Sequence, residues 1–251
     1  MGRRRGGWMR FAAAIIKPTL WILAGQTWRG QEHIPATGPV ILVVSHLSHA
    51  DPLVVAHYVY DRPREPRFLG KEAVFKVPFL GMVVRGTGQI PVRRASTEAV
   101  QALDHAVAAL ERGECVIIYP EGTTTKDPTL WPMQGKTGAA RLAMLTGAPV
   151  VPVGQWGAHR VYHPLTHRLR LRPRSPVTLI AGPPVDLSAY QGKPQTAALL
   201  AEVTDVIMRR IRDLVSEARG VPAPTGPLYR RPSAARQTAP DEPTTTPEVP
   251  S

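Results

Sequence analysis

The chain reads as an α/β fold, a largely parallel sheet sandwiched by helices. Short apolar runs rich in β-branched residues alternate with segments of helical periodicity, the pattern of strands joined by crossover helices. The most apolar run, Val40-Ile41-Leu42-Val43-Val44, has four β-branched residues out of five and reads as a buried strand. That run stops abruptly at Ser45-His46, and Asp51-Pro52 then opens a segment to Tyr60 that suits a helix. His46 is therefore expected in a strand-to-helix loop with a carboxylate five residues on.

The N-terminal stretch 1–28 stands apart. Arg3-Arg4-Arg5 precede an apolar run from Trp8 to Ala24 that is interrupted by Arg10 and Lys17-Pro18. Neither piece approaches the ~20 apolar residues of a membrane span, and Lys17-Pro18 in mid-run argues against a signal peptide. The composition fits a monotopic helical segment, with Trp8, Trp21 and Trp28 at the interface. The competing reading is a helix docked on the protein's own core.

Residues 29–220 read as one domain. Arg67 to Gly70 is a second short strand, and Pro78 and Gly81 limit any helix between Lys71 and Val84. Gly86 to Arg93 reads as a turn and a short strand ending at Arg93. Ser96 to Arg112 is a helix, with Val100, Leu103, Val107 and Leu110 along one face. Val116 to Tyr119 is a strand running into Pro120-Glu121-Gly122-Thr123; Lys136 to Thr146 is a helix, and Pro149 to Val153 a strand. Arg168-Leu169-Arg170-Leu171-Arg172 alternates with period two, as a strand with three arginines on one face. That face is either a lipid-headgroup patch or merely solvated. Val177 to Ala181 is a further strand, and 195–218 an amphipathic helix. Residues 221–251 are rich in Pro, Thr and Ala without periodicity and read as a disordered tail.

A formal charge of +12 over 251 residues implies an anionic partner: nucleic acid, an acidic lipid surface or a phosphorylated substrate. Nucleic acid fits poorly, because no zinc-finger or helix-turn-helix signature is present and aromatics do not interleave with the basic runs. A single cysteine, Cys115, excludes an internal disulfide and fits a reducing compartment. It lies in a strand and reads as a small buried hydrophobe. His46, His49 and Asp51 are metal-ligand types, but no second cluster completes a site, so no metal is expected.

Three features follow or end predicted strands: Ser45-His46-Leu47-Ser48-His49-Ala50-Asp51, Gly88-Gln89-Ile90-Pro91-Val92-Arg93, and Tyr119-Pro120-Glu121-Gly122-Thr123. Loops at the carboxyl ends of strands in an α/β sheet gather at one crevice. There they bring together a base, a cation and a carboxylate beside a turn. Taken singly, each has a plainer reading: Asp51 as a helix cap, Arg93 as a surface charge, Pro120-Glu121-Gly122 as a turn.

In this order and spacing the three blocks resemble the glycerolipid acyltransferases typified by 1-acylglycerol-3-phosphate acyltransferase. The family pattern is His-x4-Asp, a Gly-x-Ile-x-x-x-Arg-like block, Phe-Pro-Glu-Gly-Thr-Arg, and a Val-Pro-Val-like strand, matched last by Pro149 to Val153. The likeness runs from about Gly38 to Leu187, roughly three-fifths of the chain. It implies transfer of a fatty acyl group from acyl-CoA or acyl carrier protein to a lysophospholipid hydroxyl, on an anionic membrane surface at the cytoplasmic face, with no cofactor. His46 would be the general base and Asp51 its orienting carboxylate. Arg93 would bind phosphate, and Glu121, Gly122 and Thr123 would shape the acceptor site. One position departs: Thr124 stands where the family usually has the Arg that helps hold the acceptor phosphate. Cationic grip then falls to Arg93, Lys71, Lys136 and Lys126. Lysophosphatidic acid is the favoured acceptor, with another lysolipid, or a non-catalytic membrane-surface protein on the same fold, as alternatives.

Overall fold

The computed structural model describes residues 6–92, 96–170 and 172–230. Its strands are β1 (Ala24–Arg29), β2 (Val40–Val44), β3 (Pro66–Lys71), β4 (Ile90–Val92), β5 (Cys115–Ile118), β6 (Val150–Trp156) and β7 (Ser175–Ala181). The α-helices are α1 (Gly7–Leu23), α2 (Asp51–Tyr60), α3 (Glu72–Phe75), α4 (Leu80–Gly86), α5 (Ser96–Glu111), α6 (Gly138–Thr146) and α7 (Ala197–Arg219). One sheet orders the strands β1-β7-β6-β2-β5-β3-β4, every pair parallel except β6 with β7.

β2 lies at the centre because its side chains are apolar on both faces. Ile41 and Val43 pack with Leu110, Leu142, Val203 and Ile207 from α5, α6 and α7. Val40, Leu42 and Val44 pack with Leu20, Val54, Val55 and Tyr58 from α1 and α2. A strand covered on both faces needs a continuous apolar run, as its sequence has. α7 lies very close to β6. A Cβ on Gly154 would stand 2.4 Å from the Leu214 carbonyl carbon, so only glycine admits the helix at this distance.

Four features depart from the expectations of sequence. Ala24–Arg29 is not part of an N-terminal helical segment ending at 28; it is an edge strand paired along β7 from Ala24↔Ser175 to Arg29↔Ile180. Its residues show no clean alternation, so only the pairing with β7 reveals it. The described residues of 168–172, expected as a strand, are not part of the sheet; an isolated antiparallel bridge joins Leu169 to Tyr162. Residues 221–230, where composition predicts a tail without structure, fold back: Gln134 N–H donates to Tyr229 O at 2.9 Å and Arg212 to Gly226 O at 3.2 Å. The rest of that expected tail, 231–251, lies outside the described residues. Finally, α1 continues through Pro18 and is docked on one side, burying Met9, Ala12 and Leu20 and pairing Lys17 Nζ with Asp61 at 2.7 Å. Its other side leaves Trp8, Phe11, Ile15, Trp21 and Ile22 exposed.

Candidate active site

The carboxyl ends of β2, β5 and β6 lie side by side, because these strands are parallel neighbours. β2 ends at Val44, and the next six residues turn back on themselves before α2 begins. Asp51 is the reason. Its Oδ2 accepts from Leu47 N–H at 2.6 Å, from Ser48 N–H at 2.8 Å, and pairs with His46 Nδ1 at 2.9 Å. The carboxylate therefore closes a loop in its own N-terminal direction, and a five-residue spacing that no helical face could join becomes a contact. Asp51 is the first residue of α2 rather than its cap, and the helix has no side-chain cap.

Asp51 is fully buried, and burial pushes its carboxyl above the usual range, with the His46 contact and the Ser48 and Leu47 N–H groups pulling the other way. The arrangement orients an imidazole: with Nδ1 held by the carboxylate, Nε2 is left to carry a lone pair. The His46 ring also stacks on Tyr119, centroids 4.2 Å apart and planes 21° from parallel. His49 differs from His46 in every respect that matters. It is exposed, and desolvation, then His46, His167 and Lys126, hold its pKa below the ordinary value.

The loop after β5 supports the first loop from behind. Glu121 is 3% exposed; Oε1 accepts from His46 N–H at 2.8 Å and Oε2 from Met133 N–H at 2.9 Å. Thr125 N–H donates to His46 O at 2.7 Å, so both backbone groups of His46 are held by the same loop. Burial pushes the Glu121 carboxyl up to about 8, against the pull of the Met133 and His46 N–H groups. Glu121 thus holds backbone through both carboxyl oxygens. Gly122 makes the turn at φ 68°, and the Lys136 side chain crosses where its Cβ would be, at 3.1–3.3 Å. Lys136 is exposed, and its N–H donates to Pro120 O at 2.8 Å. Thr123 is half-buried beside this turn, whereas Thr124 is 1% exposed and has no face toward solvent. Lys71 is exposed at the carboxyl end of β3. Arg93 lies outside the described residues; β4 carries the chain up to Val92 at the same edge, in register with Lys71.

Sequence reasoning passed over two positioning residues. Tyr119 stacks on the imidazole, and its place as the last residue before Pro120 gave no sign of that. Gln155 Nε2 donates to Ser45 O at 2.6 Å and Gln155 N–H to Ser45 Oγ at 3.2 Å, fixing the start of the His46 loop from β6. Its signal was legible: one amide side chain in an otherwise apolar buried strand must have a partner.

Comparison with known proteins bears on this geometry. Residues 26–156 match the Acyltransferase family. A Bacillus subtilis 1-acyl-sn-glycerol-3-phosphate acyltransferase is 24% identical over 82% of this chain and 96% of its own. A Borreliella burgdorferi protein of the same name is 28% identical over 59% of this chain. A chloroplastic relative from Brassica napus is 29% identical over 53%. The matches span only 38% of the Brassica protein and 58% of the Borreliella protein. Among solved structures, the 1-acyl-sn-glycerophosphate acyltransferase PlsC from Thermotoga maritima superposes with a TM-score of 0.60 at 25% identity, covering 82% of this chain and 79% of that one. The matched stretch runs from β1 to the end of β6 and so contains the His46–Asp51 loop and the Glu121 loop that holds it; the chain belongs to the acyltransferase family.

Proposed function

We propose that the chain transfers a fatty acyl group from a thioester carrier, acyl-CoA or acyl carrier protein, to the free hydroxyl of 1-acylglycerol-3-phosphate, giving phosphatidic acid. The observation that carries this is the His46 Nδ1–Asp51 Oδ2 contact at 2.9 Å, built into a loop that two other segments brace. The acceptor hydroxyl attacks the thioester carbonyl while His46 takes its proton. Asp51 stabilises the imidazolium that forms. Collapse of the tetrahedral intermediate breaks the carbon–sulfur bond, and the departing thiolate takes the proton from His46. No side-chain nucleophile is needed, and thioester cleavage supplies the driving force.

The acceptor's phosphate carries nearly two negative charges and favours cationic groups at the mouth of the site. Lys136 beside the Gly122 turn and Lys71 at the carboxyl end of β3 are candidates for that role, and the resemblance adds Arg93 to them. Thr124 stands where the resemblance places an arginine, so one phosphate-holding cation is missing. That substitution favours, as a second reading, an acceptor whose phosphodiester carries one charge. Among the described residues no helix is long and apolar enough to cross a membrane. The exposed apolar side of α1 supports an interfacial seat on a membrane; the cytoplasmic face is proposed from the resemblance alone.

The test is transfer of labelled acyl chains from acyl-CoA to lysophosphatidic acid, other lysolipids and monoacylglycerol, with His46→Ala alongside. Transfer by the wild type and its loss in the variant support the reading. Equal activity in both removes it.

A further inference from the structure

Between β6 and β7 the chain builds a second feature at the same sheet edge. Past Gly157 it forms a short hairpin: His163 N–H donates to Arg168 O at 3.1 Å and Arg170 N–H to Val161 O at 2.8 Å. Arg168 and Arg170, flanking the Leu169–Tyr162 bridge, then share one side. Arg168, Arg170, Arg172 and Arg174, with Arg160 from the preceding turn, line a cavity of about 750 Å³. All five arginines are exposed, and none has a carboxylate in ion-pair reach among the described residues. Arg174 holds φ 52°, a conformation disfavoured for a residue with a Cβ, and its N–H donates to Ile22 O at 2.9 Å in the last turn of α1. At the other end Ser48 Oγ donates to Tyr162 O at 2.7 Å. The cationic cavity is thus tied both to the exposed end of α1 and to the loop that carries His46.

Five guanidiniums with no counter-charge among the described residues call for an anionic ligand, and planar, weakly hydrated guanidiniums suit phosphate. Apolar neighbours narrow the choice. Trp21 is 72% exposed and Ile22 58%, at the end of α1 bonded to Arg174, and Leu169 on the hairpin is 60% exposed. A soluble polyphosphate or a nucleic acid would leave these side chains in water. A bilayer takes both, phosphates against the arginines and hydrocarbon against Trp21, Ile22 and Leu169. We propose that this cavity is a headgroup site for anionic phospholipid that seats the acyl-transfer edge of the sheet on the membrane surface. The proposal rests on the interfacial seat of α1 and adds to it a lipid preference.

Vesicle co-sedimentation of the full chain tests it, using phosphatidylcholine with and without phosphatidylglycerol. An arginine near an anionic surface contributes about fivefold in binding, so Arg168→Gln/Arg170→Gln/Arg172→Gln should weaken binding to anionic vesicles on the order of 100-fold. Binding to pure phosphatidylcholine should change little, and the corresponding triple Lys variant should retain most of the anionic preference. Trp21→Ser/Ile22→Ser should weaken binding to both compositions. If that double variant binds both normally while the Gln variant loses the anionic vesicles, the α1 reading fails and the headgroup site stands. Unchanged binding by the Gln variant, or an equal loss on both compositions, overturns the proposal. So does intact vesicle binding with a raised KM for acyl-CoA, which would give the cavity to the thioester carrier.

Discussion

Glu121 Oε1 accepts the backbone N–H of His46 at 2.8 Å, so the loop after β5 fixes the histidine through its main chain while Asp51 fixes it through its ring. Thr125 completes the hold by donating its N–H to His46 O. With its main chain held at both ends and its ring held by Asp51 and stacked on Tyr119, His46 has little rotational freedom left to lose when an acceptor hydroxyl arrives.

That restraint separates two histidines three residues apart. His46→Ala should leave the fold intact and cut turnover at least ~100-fold, the low end of general-base effects. His49→Ala should change it far less, since His49 is exposed and makes no contact with Asp51 by hydrogen bond. Steady-state kinetics on both variants, with thermal melts to confirm folding, make the comparison. Equal and mild effects would remove His46 as the base.

Glu121 gives a pH signature. Its carboxyl lies at about 8 in the fold and near 4.5 in the unfolded chain. The native state therefore holds a proton that the unfolded state releases between those values. Stability from this group is fully present below about pH 4.5 and is lost as pH rises toward about 8. Glu121→Gln should flatten that slope in denaturant titrations. It should also lower stability by about 1–3 kcal/mol, because the amide nitrogen cannot accept and one of the two N–H groups is left unpaired. A wild-type slope of the opposite sign, or a variant with the same slope, would show that Glu121 is not the source.

α1 and β1 should respond differently to truncation and substitution. Deleting 1–28 removes most of a strand that pairs with β7 along its whole length, so that protein should be poorly folded by circular dichroism and hydrogen exchange. Substituting Ile15, Trp21 and Ile22 by Ser alters the most exposed side chains of α1 and should keep the melting behaviour while moving protein from membrane pellet to supernatant. Pellet association that survives these substitutions would place the membrane contact elsewhere.

Acceptor choice should follow the cations at the mouth. Lys136→Ala and Arg93→Ala are each expected to raise KM for lysophosphatidic acid several-fold more than for monoacylglycerol, and to lower kcat if the contact orients the hydroxyl. The comparison is kcat/KM over lysophosphatidic acid, lysophosphatidylinositol, lysophosphatidylglycerol and monoacylglycerol. A uniform effect across the four would end the phosphate-site reading and leave acyl transfer in place.

Much of the fold was legible because its strands are buried on both faces and its helices on one. Val40–Val44, Cys115–Ile118 and Val150–Val153 are continuous apolar runs, and the stepped apolar residues of α5 and α7 mark helices without reference to any neighbour. The edge strand β1 was not legible. Ala-Gly-Gln-Thr-Trp-Arg has neither an apolar run nor alternation, and it is a strand only because β7 offers it a hydrogen-bonding edge. The antiparallel sense of β7 was hidden for the same reason, since pairing direction is set by where the chain returns and not by the composition of the strand. Around the site, His-x4-Asp, the Glu121 loop and their order along the chain were present in the residues themselves. What only the tertiary structure decided was their division of labour. Asp51 turns to the loop instead of capping its helix, Glu121 holds main chain, and Tyr119 and Gln155 brace the histidine from the end of β5 and from β6. For Asp51, Glu121 and Gln155 this depends on which backbone donors and acceptors lie within ~3 Å of a buried polar atom, and for Tyr119 on which ring comes to lie against its own. Partners 75 and 110 residues away in the chain come within that distance only when the sheet is assembled.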